Sequence, residues 1–453
     1  QSNQQSIRFV GLNNYIKVLT NDIAAPANWD ALINTGMFVI FTVALQMIMG
    51  FLLAMLFAKQ FPLRKYLLIL VLTPMMLSVV ASGVFFTYYY DPTFGILSYV
   101  MGHITGEQFI LMDNKVGAVA GIVFADAWMW SPFVMLLVLA GLVSVPKYLY
   151  EAAAIDRVSA WRRFWNITFP YIRGLLMLAL LFRTIEAFKL ADLVILLTKG
   201  GNDTMTISYH LIRIANEQNK TSEGAAISYL MLFMVIVLTS VYVYMANRRS
   251  EGTWSMSSAI QFFERLGLRK ASGVGEAGWG RTLVVAIVSF IYFLPVLFII
   301  FTAIKPQDMA LSVPPTLSPT SIFGLIPDAY VFSPTLENFT SVFSRSMTTG
   351  GAPEPTGFDR YFFNSIVIAT VSVLLALVIG TLAAFGFSRY PLKGNDTYLF
   401  IILTTRMLPA IVVIIPVILM FRVAGLSGSY IGIILLYTAF NLAFTIWMMK
   451  SFF

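Results

Sequence analysis

The sequence predicts an all-α polytopic membrane protein of about nine transmembrane helices, set in two parallel repeats related by a pseudo-twofold axis. Three observations carry that prediction. The composition is 58% hydrophobic and only 11% charged, far from the balance of a soluble chain of this size. Nine apolar stretches are each long enough to cross roughly 30 Å of hydrocarbon. The chain also repeats its polar and small positions, as two similar units running in one direction would.

In order, the polar segment 6–30 leads into a first span at 31–58, and further spans follow at 66–89, 116–145, 175–197 and 225–246. A second set occupies 282–304, 362–387, 398–421 and 431 onward. The loops 59–65, 146–174, 247–281 and 388–396 hold sixteen Lys and Arg against six acids, whereas the opposite segments hold ten against thirteen. Basic residues accumulate on the cytoplasmic side, so these four loops face the cytoplasm. The net charge of +8 therefore reflects topology, and no nucleic-acid partner is expected.

Leu12-Asn13-Asn14-Tyr15 matches Leu336-Glu337-Asn338-Phe339. Asn34-Thr35 leads to Gly50, Leu52 and Ala54 as Asn364-Ser365 leads to Gly380, Leu382 and Ala384. The following loops agree as well, Phe61-Pro62-Leu63 with Tyr390-Pro391-Leu392. These matches divide the chain into a first unit at 1–248, a cytoplasmic linker at 249–281 and a second unit at 282–453. Within the linker, Ile260, Phe262, Phe263 and Leu266 alternate with charges in a way that suits a helix lying at the membrane surface. The repeat implies that the first unit lacks its first helix and that the second stops before its copy of the 146–174 loop. A chain that opens at Gln1 without Met reads as two fused units cut at both ends.

Several chemistries are excluded. The chain has no cysteine, so disulfides and thiolate metal sites are ruled out. His103 and His210 have no metal-ligand spacing, and no metal site is expected. No Gly-x-x-x-x-Gly-Lys-Ser/Thr loop is present, so any ATP hydrolysis belongs to another chain.

The most polar stretch between two spans is 146–174. Pro146 precedes good helix formers from Glu151 to Ile155, and Pro170 closes a second helical segment starting near Ala160. A short helix, a turn and another short helix follow from that pattern. Glu151 and Ile155 share a face, and Ala152 and Ala153 are small enough for a partner to approach closely. Physics alone is equally satisfied by an ordinary connecting loop.

The spelling Glu151-Ala152-Ala153-x-x-Asp156, followed by Trp161, Phe164, Ile167 and Pro170, resembles the EAA loop of ABC-importer permeases, in its maltose-type carbohydrate form. The resemblance implies a permease rather than an enzyme, driven by a separate ATPase that holds ATP and Mg, with no cofactor on this chain. It implies that Glu151, Ala152, Ala153 and Asp156 dock on ABC ATPase subunits at the cytoplasmic face. It further implies an extracytoplasmic solute-binding protein, transport by alternating access, and a place in a bacterial or archaeal plasma (inner) membrane. The family has Gly where this chain has Arg157. Glycine would serve a tight turn, so Arg157 puts the turn geometry in question.

Charges inside apolar spans are costly and face a cavity or a partner. They are Asp126, Arg183, Glu186, Lys189, Asp192 and Arg406. Arg183 and Glu186 lie at i, i+3, as do Glu186 and Lys189, so pairing along one helix face is the favoured reading. The functional reading gives Glu186, Lys189 and Asp192 to a hydroxylated solute. Asp126 with Trp128 and Trp130 would add a hydroxyl acceptor beside aromatic faces suited to a sugar ring, although tryptophans also anchor at membrane interfaces. The alternative from another class is an ion-coupled secondary transporter in which Asp126, Glu186 or Asp192 carries the proton.

Overall fold

A computed structural model describes residues 10–20, 24–247, 279–306, 309, 331–345, 354–390, 393–407, 417–418, 420–450 and 453. After a short α1 (Asn13–Thr20), the first unit begins with α2 (Ala24–Phe57), followed by the bent pair α3 (Arg64–Met76) and α4 (Val79–Tyr89). Next come α5 (Ile96–Thr105), α6 (Lys115–Ser144), α7 (Lys147–Ile155), α8 (Ala160–Arg163) and α9 (Phe169–Phe188). The short α10 (Asp192–Leu197) and α11 (Ile207–Ile212) precede α12 (Thr221–Asn247). The second unit supplies α13 (Trp279–Ala303), α14 (Glu337–Phe343), α15 (Phe358–Arg389), α16 (Asn395–Met407) and α17 (Tyr430–Lys450). A two-residue strand pair, β1 (Ser344–Arg345) with β2 (Glu354–Pro355), ties the segment before α15.

Among the described residues, seven helices are long and apolar enough to cross a membrane unaided. The expected span 66–89 is instead α3 and α4, bent by 94°. Pro74 has no N–H to complete the last turn of α3. Leu77 is extended, and the Ser78 side chain accepts from Ala81 N at 3.0 Å to start α4 afresh. The expected span 398–421 is described only in part, as α16, because 408–416 lie outside the described residues. The Arg406 side chain and the proposed linker helix around Ile260 lie outside them too.

The fourth expected span, 175–197, is displaced. Its helix runs from Ala160 to Phe188, and α10 is a separate piece. Pro170 does not close the preceding segment. The turn Phe164–Thr168 is a π-helix, and Pro170 follows it directly at the start of α9. The wider π turn thus carries the helix through the proline.

The repeat is visible in the packing. In the first unit α2 lies along α6, and a Cβ added to Gly50 would stand 2.5 Å from Val134 Cβ. In the second unit α15 lies along α17, and a Cβ on Gly380 would stand 2.6 Å from Thr445 Cγ2. Matched glycines therefore permit the same close approach of matched helix pairs.

α13 is built into the core formed by α4 and α6. Val285, Tyr292 and Val296 of α13 share a buried cluster with Phe86, Trp128 and Val134. Trp128 Nε1 donates to the Tyr292 carbonyl at 2.9 Å, and the Tyr292 hydroxyl meets Ser131 Oγ at 2.7 Å. Arg281 Nη2 donates to the Met55 and Leu56 carbonyls at 2.7 and 2.9 Å, capping the end of α2. Loops expected on the cytoplasmic side thus meet at one end of the bundle.

Candidate functional site

The 146–174 loop is a helix, a tight turn and a helix. α7 forms because Pro146 starts it and five good helix formers follow. It ends in a Schellman arrangement: Val158 N donates to the Ala153 carbonyl at 2.9 Å, and Arg157 N to that of Ala154 at 3.2 Å. Arg157 holds the left-handed conformation at φ 50°. The turn that glycine would serve is therefore kept, with a side chain in a conformation that costs about 1–2 kcal/mol. Ser159 then caps α8, its side chain accepting from Arg162 N at 3.4 Å.

Ala153 is buried, so one face of α7 is anchored. Glu151, Ala152, Asp156 and Arg157 are exposed, and Ile155 is 82% exposed. Tyr150 Oη meets Thr168 Oγ1 at 2.9 Å, fixing α7 against the root of the long helix.

Within the bundle, three helices each contribute one polar group to a buried cluster. Gln46 of α2 donates through Nε2 to Asp126 Oδ2 of α6 at 2.6 Å. Arg183 of α9 donates through Nε to Gln46 Oε1 at 2.8 Å and lies 3.5 Å from the Asp126 carboxylate. The guanidinium also stands over the Trp130 ring, 4.6 Å from its centroid. Asp126 and Arg183 are 4% and 3% exposed. Arg183 thus forms an ion pair across helices with Asp126, which faces it from α6. Glu186 pairs with Lys189 at 3.1 Å, as the spacing predicted.

The structure thus brings Asp126, Trp130, Arg183 and Gln46 together. Trp128 is buried and points to Tyr292 of α13. Asp192 is exposed at the start of α10. Gln46 was missed because only charges were weighed within spans; an amide in the middle of an apolar helix is the signal that identifies it. Among the described residues no group of three or more His, Cys, Asp or Glu gathers as for a metal ion.

At the other end of the bundle the loop after α10 is pinned down. Lys115 Nζ donates to Asn34 Oδ1 at 3.2 Å and forms an ion pair with Asp203. Asn34 Nδ2 donates to Asp203 Oδ1 and to the Met205 carbonyl, both at 3.3 Å. The hydrogen bond from Lys115, then that from Asn34, holds the Asp203 carboxyl below the usual range.

Comparison with known proteins follows the same lines. Residues 46–250 match the family described as "Binding-protein-dependent transport system inner membrane component". The chain is 33% identical to the trehalose/maltose transport system permease protein MalF of Thermococcus litoralis, covering 54% of this chain and 81% of that protein. It is 31% identical to the sulfoquinovosyl glycerol transport system permease protein SmoG of Agrobacterium fabrum, covering 52% of this chain and 76% of that protein. A crystal structure of a bacterial ABC transporter involved in alginate import shares the fold, at a TM-score of 0.50 and 18% identity over 54% of this chain and 86% of that one. None of these resemblances supports an ion-coupled secondary transporter, and that alternative is set aside. With the exposed loop at 147–163 and a relative matched over four fifths of its length, the chain belongs to the binding-protein-dependent inner membrane components, the permeases of ABC importers.

Proposed function

We propose that the chain carries a sugar or a related polyol across a bacterial or archaeal plasma membrane by alternating access, powered by ATP hydrolysis on a separate subunit. The observation that carries this reading is the exposed α7 surface of Glu151, Ala152 and Ile155, anchored through Ala153 and joined to a helix that runs on to Phe188. A push on that surface moves a rod about 43 Å long, by the rise per residue of its 29 residues. ATP and Mg belong to the partner, and a solute-binding protein delivers cargo at the opposite face. Relatives named for trehalose, maltose and sulfoquinovosyl glycerol support a carbohydrate-like cargo.

The solute path is assigned to Asp126 and Trp130, with Glu186, Lys189 and Asp192 further along. An acceptor, a guanidinium and an aromatic face are the groups hydroxylated ligands use. Trp128 was read with them, but its indole N–H is committed to α13. The two-unit division at 1–248 and 282–453, with 249–281 as a linker, is part of the same proposal, supported by the matched Gly50 and Gly380 contacts.

The test is Glu151→Ala. The exposed position predicts an intact fold, with affinity for the ATPase subunit and transport each falling about tenfold or more, as for a residue central to an interface. Parental ATPase binding and transport would overturn the assignment.

A further inference from the structure

We propose that Gln46, Asp126 and Arg183 form a latch that holds the α9 rod against α2 and α6 in the closed arrangement, and that movement of the 151 loop works by opening it. The inference rests on the coupling reading above in one respect: α9 is the element through which the loop acts.

The geometry supports two states and little between them. Gln46 is fully buried, and its amide is used at both ends, donating to Asp126 and accepting from Arg183. No other orientation of that amide satisfies both neighbours, since the carboxylate only accepts and the guanidinium only donates. Arg183 is closed on its open face by Trp130. Charges in such surroundings are tolerable when joined and dry, or when parted and wet, but not when parted and dry. A small shift of α9 is therefore resisted, and a large one that admits water is not. That converts a graded push at the cytoplasmic end into a discrete opening. Gln46 and Arg183 act here as positioning residues.

The chain has no cysteine, which makes a single reporter straightforward. Ala187 lies one turn beyond Arg183 on α9 and is 2% exposed. In the full-length transporter, assembled with its ATPase in nanodiscs, Ala187→Cys would be labelled with a water-soluble maleimide in the parent and in Asp126→Asn/Arg183→Gln. The latch predicts labelling about five- to one-hundredfold faster in the double variant without nucleotide and solute. It predicts equal rates in the ATP-bound state with solute left out, because the parent latch is then already open and Asp126 also stands on the assigned solute path. A merely structural loss would speed labelling in every state. Parental protection in the resting state, or an increase in all states, overturns the latch. Should the double variant fail to assemble, Gln46→Met, which keeps the volume, is read by the same two criteria. Failure of the coupling reading is seen separately, as an unchanged Glu151→Ala variant.

Discussion

Arg157 carries a left-handed φ of 50° at the point where the coupling loop reverses. A side chain there crowds its own carbonyl, and glycine does not. Arg157→Gly should therefore stabilise the loop by about 1 kcal/mol, read as slower amide exchange at Arg157 and Val158. Faster exchange would show that the side chain contributes contacts that outweigh the strain. At the other face Asp203 gives a pH dependence with a definite sign. Its carboxyl is held below its ordinary value by Lys115 and Asn34, so the stabilisation is present above about pH 4 and is lost as pH falls through the lowered value. The difference in thermal midpoint between the parent and Lys115→Met should shrink below pH 4. A gap that does not narrow at all as the pH falls below 4 would remove the ion pair as its cause. The short helix that carries Glu151 and Ala152, with Asp156 at its end, could be read from the sequence because Pro146 and the run of helix formers that follows it are local signals. The Asp126 to Arg183 pair could not, because its partners are 57 residues apart on helices whose relative rotation no local pattern specifies.

At the scale of elements, the apolar runs located the long helices well, since length and hydropathy decide them. Breaks were harder to place. Pro74 and Ser78 split one expected span into α3 and α4, while Pro170 failed to end another because a π turn absorbed it. Proline removes a donor in every case, but whether a helix bends or continues depends on what the preceding turn can do. The helix pairs α2 with α6 and α15 with α17 make a matched prediction. Gly50→Val and Gly380→Val each force a Cβ into contacts under 3 Å. Both should cost about 1–3 kcal/mol from overpacking, measured as reduced thermal stability in detergent. A loss at Gly50 with none at Gly380 would contradict the equivalence of the two pairs.

For the whole molecule, two features place the machinery. The end of α2 and the start of α13 are tied through Arg281, and Lys115, Asn34 and Asp203 join α2, α6 and the loop after α10. Trp128 and Tyr292 lock α13 against α6. α13 therefore belongs to the same buried core as α4 and α6. The matched Gly50 and Gly380 positions could be read from the sequence, but the seating of α13 against α6 could not, since an apolar helix fits many apolar neighbours.

α7 is proposed to receive the stroke of a nucleotide-driven subunit. The most direct measurement places a cysteine at exposed Ala152 in the otherwise cysteine-free chain and cross-links it within the assembled transporter. The account predicts a covalent product with the ATPase subunit whose yield changes with ATP. A cysteine at 152 that reacts only with reagents added from the extracytoplasmic side, or never joins the ATPase in an intact complex, would contradict it.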